Sequence, residues 1–121
     1  MLFVGAGQMM QQIAPHFNYL NLDKKVIVNR TVTNAQPLAL KISAQVDALT
    51  NLAEVINDYS IVIICCASNT PLIDSAMLKQ DIEHAQRKLI IDLSMPLVIS
   101  KNLNKHSNLI LLTVDDIAKL V

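Results

Sequence analysis

Apolar and polar positions along this chain fall into blocks that switch period. Leu2-Phe3-Val4 reads as a strand, closed at once by Gly5-Ala6-Gly7. From Gln8 the period turns helical, with Met9, Ile13, Phe17 and Leu20 at three- and four-residue steps. Pro15 falls inside that helix, where it removes a donor and should kink the axis or force a local rearrangement. Asp23-Lys24-Lys25 makes a polar turn into a second strand, Val26-Ile27-Val28. A helix through Ala35, Leu38, Leu40 and Ile42 follows, with Thr33 or Asn34 as its N-cap and Pro37 in its first turn, where proline is tolerated.

The second half repeats the alternation. Val46 marks a short third strand and Asn51 to Asn57 a short helix. Ile61 to Cys66 is continuous, apolar and β-branched, the signature of a strand buried on both faces. Asp74 to Gln86 reads as a helix, Leu89 to Leu93 as a strand and Pro96 to Asn108 as a loop. Leu109 to Leu112 forms a last strand, and Asp115 or Asp116 opens a terminal helix. Strands and helices alternating at this spacing predict an α/β fold, a doubly wound and mostly parallel sheet of about five to six strands flanked by helices.

Composition narrows the picture. Hydrophobic residues make up 52% of the 121 and aromatics only 3%, with no Trp, so the core is aliphatic, as expected for strands covered on both faces. A chain of this length holds a single domain, residues 1–121. Ten basic residues balance ten acidic ones, which leaves no basic field for a nucleic-acid backbone. Cys65 and Cys66 are adjacent, cannot staple distant parts of the chain, and suit a reducing compartment. No basic leader or apolar run long enough to cross a bilayer is visible, so a cytoplasmic, non-membrane domain is expected. A first strand of about four residues beginning at the first Met is short for the centre of a sheet, as in a piece of a longer protein.

In a doubly wound sheet the ligand site lies outside the carboxyl ends of the strands, near the switch in strand order. Four strand ends meet there, carrying Gly5-Ala6-Gly7, Asn29-Arg30-Thr31, Ala67-Ser68-Asn69 and Ser94-Met95-Pro96, and the first three open segments with candidate chemistry. Gly5-Ala6-Gly7-Gln8-Met9-Met10 is a G-x-G-x-x-G pattern whose third glycine is replaced by Met10. Gly5 permits the tight turn, Gly7 lets a pyrophosphate approach, and the amides of Gln8 and Met9 point at it. Met10, at the position that serves close packing, would push the helix slightly outward. Asn29-Arg30-Thr31 ends the second strand, where an NAD-preferring site carries a carboxylate. Arg30 instead offers a guanidinium to grip a 2′-phosphate, with Asn29 and Thr31 adding hydrogen bonds, so NADPH is expected over NADH.

Cys65-Cys66-Ala67-Ser68-Asn69-Thr70-Pro71 forms the third segment. Its small residues allow close approach of a nicotinamide ribose, and Ser68 or Asn69 is placed to bond the hydroxyls. Cys66 has no base nearby in sequence, and a thiol ending an apolar strand is usually inert, so no catalytic role is assigned to it. His16, His84 and His106 lack ligand spacing, and no metal site is expected.

Phe3-Val4-Gly5-Ala6-Gly7-Gln8-Met9, Val28-Asn29-Arg30-Thr31, Asp92 with Pro96 four residues on, and Val114-Asp115-Asp116-Ile117 resemble, in order and across the chain, the NADPH-binding Rossmann domain of glutamyl-tRNA reductase. The asparagine-arginine-threonine motif is shared with shikimate dehydrogenases. The resemblance implies a role in tetrapyrrole (porphyrin, haem) biosynthesis, with NADPH reducing glutamyl-tRNA to glutamate-1-semialdehyde. It also implies partner domains of the same enzyme: an N-terminal one whose Cys takes the glutamyl group as a thioester, and a C-terminal one that makes the homodimer. Glutamyl-tRNA would be bound by the full-length enzyme only. The roles carried over are cofactor-binding: Gly5, Gly7, Gln8 and Met9 for the pyrophosphate, Asn29, Arg30 and Thr31 for the adenosine 2′-phosphate, Ala67 and Ser68 near the nicotinamide. No catalytic residue transfers.

Departures from the family are Cys65-Cys66-Ala67 in place of a Ser-Ser-Thr-like loop, Pro96-Leu97-Val98 in place of Pro-Arg-Asp, and Pro15. Two rivals share the fold. One is the cofactor half of a shikimate-dehydrogenase-like oxidoreductase, and the other a nucleotide-sensing module without catalysis.

Overall fold

A computed structural model describes residues 1–20, 24–78, 87–105 and 108–120. Its six strands are β1 (Leu2–Val4), β2 (Val26–Asn29), β3 (Gln45–Ala48), β4 (Ile61–Ile64), β5 (Lys88–Asp92) and β6 (Leu109–Thr113). They form one sheet in the order β3-β2-β1-β4-β5-β6, every neighbouring pair parallel. Chain order reverses between β1 and β4, where Leu2 pairs with Val26 on one side and Val62 on the other. This is the doubly wound architecture that the alternation of elements predicts.

A parallel sheet must be covered on both faces, and two aliphatic clusters do so. Leu2, Val4, Val28, Val62, Ile64 and Ile90 point to one face, together with Leu52, Ile56, Ile73, Val98 and Leu103. Phe3, Ile27 and Ile63 point to the other, against Met10, Ala14, Ala35, Leu38 and Ile42 from the two covering helices. The alternation along each strand is the period-two signature of strand geometry. Three residues suffice for β1 because all three are fully buried and bonded on both sides.

The helices depart from expectation in instructive ways. Helix α1 (Gln8–Ile13) gives way to 3-10 winding over Ala14–Leu20. Pro15 is the cause: it has no N–H for the Gln11 carbonyl, so the α-helical ladder stops there. Met10, not Met9, is the buried residue of the first turn, and Met9 is 52% exposed. Helix α2 (Val32–Ile42) has Thr31, not Thr33 or Asn34, at its N-cap position, with no side-chain cap hydrogen bond, so Pro37 sits at its sixth residue rather than in the first turn. The carbonyl that Pro37 leaves free belongs to Thr33, and both residues are exposed, so water can satisfy it. Leu40 is also exposed, which leaves the buried stripe to Ala35, Leu38, Ala39 and Ile42.

The segment 49–58 winds as 3-10, α and 3-10 again, with α3 at Leu52–Val55. Strand β4 ends at Ile64, so Cys65 and Cys66 belong to the following loop. Of the helix expected over 74–86, the structure shows one 3-10 turn, Ser75–Met77, capped by Asp74, and residues 79–86 lie outside the described residues. So does Asp23 of the expected polar turn. The stretch after Pro96 contains a β-bridge between Ile73 and Ile99 and a 3-10 segment, Lys101–Lys105.

Helix α4 (Val114–Lys119) is opened by Thr113 rather than by either aspartate. Asp116 completes a reciprocal cap. Its carboxylate accepts from the Thr113 amide at 2.9 Å, and the Thr113 hydroxyl accepts from the Asp116 amide at 3.3 Å.

Candidate nucleotide site

A cleft opens beyond the ends of β1, β2 and β4, at the switch point. Gly5 shapes its floor. The Gly5 amide donates to the Val28 carbonyl at 2.9 Å, while the Cys65 amide donates to the Val4 carbonyl at 2.9 Å, so the turn is held from both neighbouring strands. Its φ of +109° is a conformation that side-chain-bearing residues rarely adopt, and a Cβ there would stand 2.2 Å from the Cys65 carbonyl oxygen. Gly7 is different. It occupies the N-cap of α1 with an ordinary φ of −74°, and a Cβ on it would meet nothing within 4 Å. No side chain caps the helix at Gly7, so the first-turn amides face that open space without a side-chain acceptor.

The cleft has a volume of about 230 Å³. Of the residues expected at the site, Gly5, Gly7, Asn29, Arg30 and Ala67 line it. Gln8, Met9, Thr31 and Ser68 do not. Gln8 and Met9 lie exposed on the first turn of α1. Thr31 lies exposed at the start of α2, its carbonyl accepting from Asn29 Nδ2 at 2.8 Å and from the Asn34 amide at 3.1 Å. Ser68 folds onto its own loop, donating to the Thr70 carbonyl at 2.7 Å and accepting from the Thr70 amide at 3.3 Å. Arg30 projects as an exposed residue from the end of β2, and no carboxylate is among the lining residues.

Sequence reasoning missed Leu49 and Leu72, which also line the cleft, as does Cys65 of the expected third segment. Leu49 follows β3 as Arg30 follows β2, so position after a strand was the available signal. Leu72 carried none, because a bend after the β4 loop folds it back.

Cys66 lines the cleft too. Burial pushes its thiol up from the ordinary value, and the charge of Asp92 adds to this, outweighing Arg30 and a Ser94 hydrogen bond. Cys65 is raised for the same first two reasons. Both stay thiols at neutral pH, which makes them poor nucleophiles. Asp92 itself is fully buried and accepts three backbone amides, from Ser94 at 2.9 Å, Val98 at 2.8 Å and Ile99 at 3.2 Å. Val98 is fully buried in the core, while Leu97 is 47% exposed. Among the described residues no group of three His, Cys, Asp or Glu is placed to hold a metal, and no helix is long and apolar enough to cross a membrane.

This geometry has known counterparts. The family model for shikimate / quinate 5-dehydrogenase matches residues 1–120. The chain belongs to that family. Among curated relatives it is similar to the glutamyl-tRNA reductase of Albidiferax ferrireducens, 31% identical over 99% of this chain and 29% of the relative. The chain thus spans under a third of the length of that relative. Among solved structures it resembles the nucleotide-binding domain of glutamyl-tRNA reductase from Thermoplasma volcanium, with a TM-score of 0.75, 26% identity, and coverage of 98% of this chain and 77% of that one. Glutamyl-tRNA reductase from Methanopyrus kandleri shares the fold at a TM-score of 0.83 and 23% identity, over 95% of this chain and 30% of that one. So does quinate dehydrogenase from Corynebacterium glutamicum, solved in complex with NAD, at a TM-score of 0.63 and 17% identity, over 96% and 43%. Family and relatives differ in the enzyme they name, but all name oxidoreductases, and the fold is the Rossmann-like α/β fold of the Thermoplasma volcanium nucleotide-binding domain.

Proposed function

We propose that this chain is the NADPH-binding domain of a glutamyl-tRNA reductase. In the full-length enzyme it presents the cofactor to glutamyl-tRNA for reduction to glutamate-1-semialdehyde, a step of tetrapyrrole biosynthesis. The observation that carries the cofactor reading is Arg30 on the wall of the glycine-turn cleft, at the strand end where NAD-preferring sites place a carboxylate. A guanidinium there favours the 2′-phosphate through paired, charge-assisted hydrogen bonds.

The residues present fit the dinucleotide. Gly7 leaves open space beside uncapped amides, which suits a pyrophosphate. Asn29 and Arg30 hold the adenosine side, and Thr31 braces Asn29. Gln8 and Met9 contribute backbone amides rather than side chains. Ala67 supplies a small wall on the nicotinamide side, and Ser68 would have to leave Thr70 to reach a ribose hydroxyl. Bound NADPH supplies the hydride; the chain's own residues bind, orient and shield it. At about 230 Å³ the cleft is smaller than the roughly 300–1,000 Å³ of a complete small-molecule site, as expected if other domains of the enzyme close over it.

The substrate-binding and dimerising parts, and the Cys that accepts the glutamyl group, belong in this reading to further domains of a homodimeric, cytoplasmic enzyme. The family match supports a second reading, the cofactor half of a dehydrogenase acting on a small hydroxy acid. Calorimetric titration of the chain with NADPH and NADH, repeated with Arg30→Ala, tests the cofactor assignment. Tighter NADPH binding that falls to the NADH level in the variant is expected; equal affinities in the parent chain would refute it. Assay of the full-length enzyme with glutamyl-tRNA against shikimate or quinate separates the two readings.

A further inference from the structure

Two polar residues are buried among the described residues, Asp92 and Ser94, and both sit where β5 passes the cleft wall. The hydrogen bonds around them form a directed chain. Leu93 still belongs to the β4–β5 ladder, its amide donating to the Ile64 carbonyl at 2.8 Å. A continued parallel ladder would next send the Cys66 amide to the Leu93 carbonyl. Instead the Cys66 amide donates to Ser94 Oγ at 3.1 Å. On its other side the Cys65 amide goes to β1, at the Val4 carbonyl. The Cys65 amide thus continues the β4–β1 ladder, and the departure at the end of β4 lies in the Cys66 amide alone, which goes to a side chain of the β5 loop.

That bond bears on where the cleft wall stands. Cys66 and Ala67 line the cleft opposite the glycine turn, and a hypothetical Cβ on Gly5 would already lie 3.2 Å from Cys66 Cβ. With so little clearance, the direction in which Cys66 leaves β4 sets the width available to a ligand. Ser94 is in turn fixed from behind: its amide donates to Asp92 Oδ1, while Oδ2 gathers the Val98 and Ile99 amides. A fully buried carboxylate that accepts only backbone amides rigidifies the loop that carries Ser94.

We propose that Ser94, held by Asp92, is a positioning residue for nucleotide binding: its hydroxyl draws the Cys66–Ala67 wall toward β5 and sets the nicotinamide-side width of the cleft. The inference rests on the NADPH reading above. No hydrogen bond joins Ser94 to the glycine turn or to Arg30, so its effect falls mainly on the nicotinamide half of the ligand.

The test compares Ser94→Ala and Ser94→Thr with the parent chain. Calorimetry measures affinity for NADPH and for 2′,5′-ADP, which carries the adenosine half alone. Amide hydrogen exchange is followed at Cys66, with Cys65 as internal reference. For Ser94→Ala we expect NADPH affinity to fall about tenfold, the size of one lost hydrogen bond, with 2′,5′-ADP within about twofold. Exchange at Cys66 should quicken by more than about tenfold while Cys65 is unchanged, and Ser94→Thr should restore both. Equal losses for the two ligands, or Cys66 exchange unaltered in Ser94→Ala, overturn the proposal. A parent chain that binds neither ligand overturns the NADPH reading instead, and the exchange measurement then still decides whether Ser94 holds the wall.

Discussion

Gly5→Ala isolates the backbone demand of the site. The added methyl meets two obstacles that the structure quantifies. At φ +109° an L-residue is strained by about 1–3 kcal/mol. Its Cβ would stand 2.2 Å from the Cys65 carbonyl oxygen and 3.0 Å from the carbonyl carbon, both main-chain atoms that cannot rotate away. Relief requires β1 and β4 to part where the Cys65 amide bonds Val4, adding about 1–3 kcal/mol of overpacking. The sum, about 2–6 kcal/mol, is a large share of the roughly 5–15 kcal/mol that stabilises an ordinary domain.

Urea unfolding followed by circular dichroism measures this loss directly. Gly7→Ala is the control, because at φ −74° with nothing within 4 Å its methyl is accommodated and only the N-cap preference for Gly over Ala is lost, about 1 kcal/mol. That methyl nevertheless fills the approach to the first-turn amides, so NADPH affinity should fall by more than about tenfold. A Gly5→Ala protein within about 1 kcal/mol of the parent would refute the reasoning, and so would a Gly7→Ala protein that unfolds as readily as Gly5→Ala.

Met10→Ala should cost about 2–5 kcal/mol in the same urea experiment, since Met10 is fully buried between α1 and the sheet. Asp116→Asn should weaken the start of α4 at neutral pH. Its hydrogen bonds from Thr113 hold the carboxyl below the usual range, so the contribution is present above that range and lost as pH falls through the lowered value; the difference from the parent in α4 amide exchange should vanish in strong acid. Cys66 should alkylate slowly with iodoacetamide at neutral pH and faster as pH rises past the ordinary thiol value, because burial and Asp92 hold its proton on; mass spectrometry of the labelled peptide reads the rate, and saturating NADPH should slow it further.

The order of elements was legible in the residues alone, because each is encoded locally. Val26-Ile27-Val28 and Ile61 to Ile64 are too β-branched and too uniformly apolar for anything but buried strands, and a parallel sheet follows from strands separated by helix-length spacers. The glycine turn and Arg30 were legible for the same reason: the fold assigns fixed offsets to the end of the first strand and the end of the second.

Tertiary structure decided what depends on where side chains and amides find partners. Thr113 rather than Asp115 or Asp116 opens α4, and Thr31 rather than Thr33 or Asn34 opens α2, because a cap is chosen by where the preceding strand releases the chain. Ser68 suits a ribose by type, yet its hydroxyl is taken by Thr70 two residues on. The Ser94–Cys66 bond joins residues 28 apart in sequence, and no periodicity marks it. Patterns of burial are carried by residue type and spacing and so survive in one dimension. The fate of a single amide at a strand end depends on the strand beside it, and that neighbour exists only once the sheet has formed.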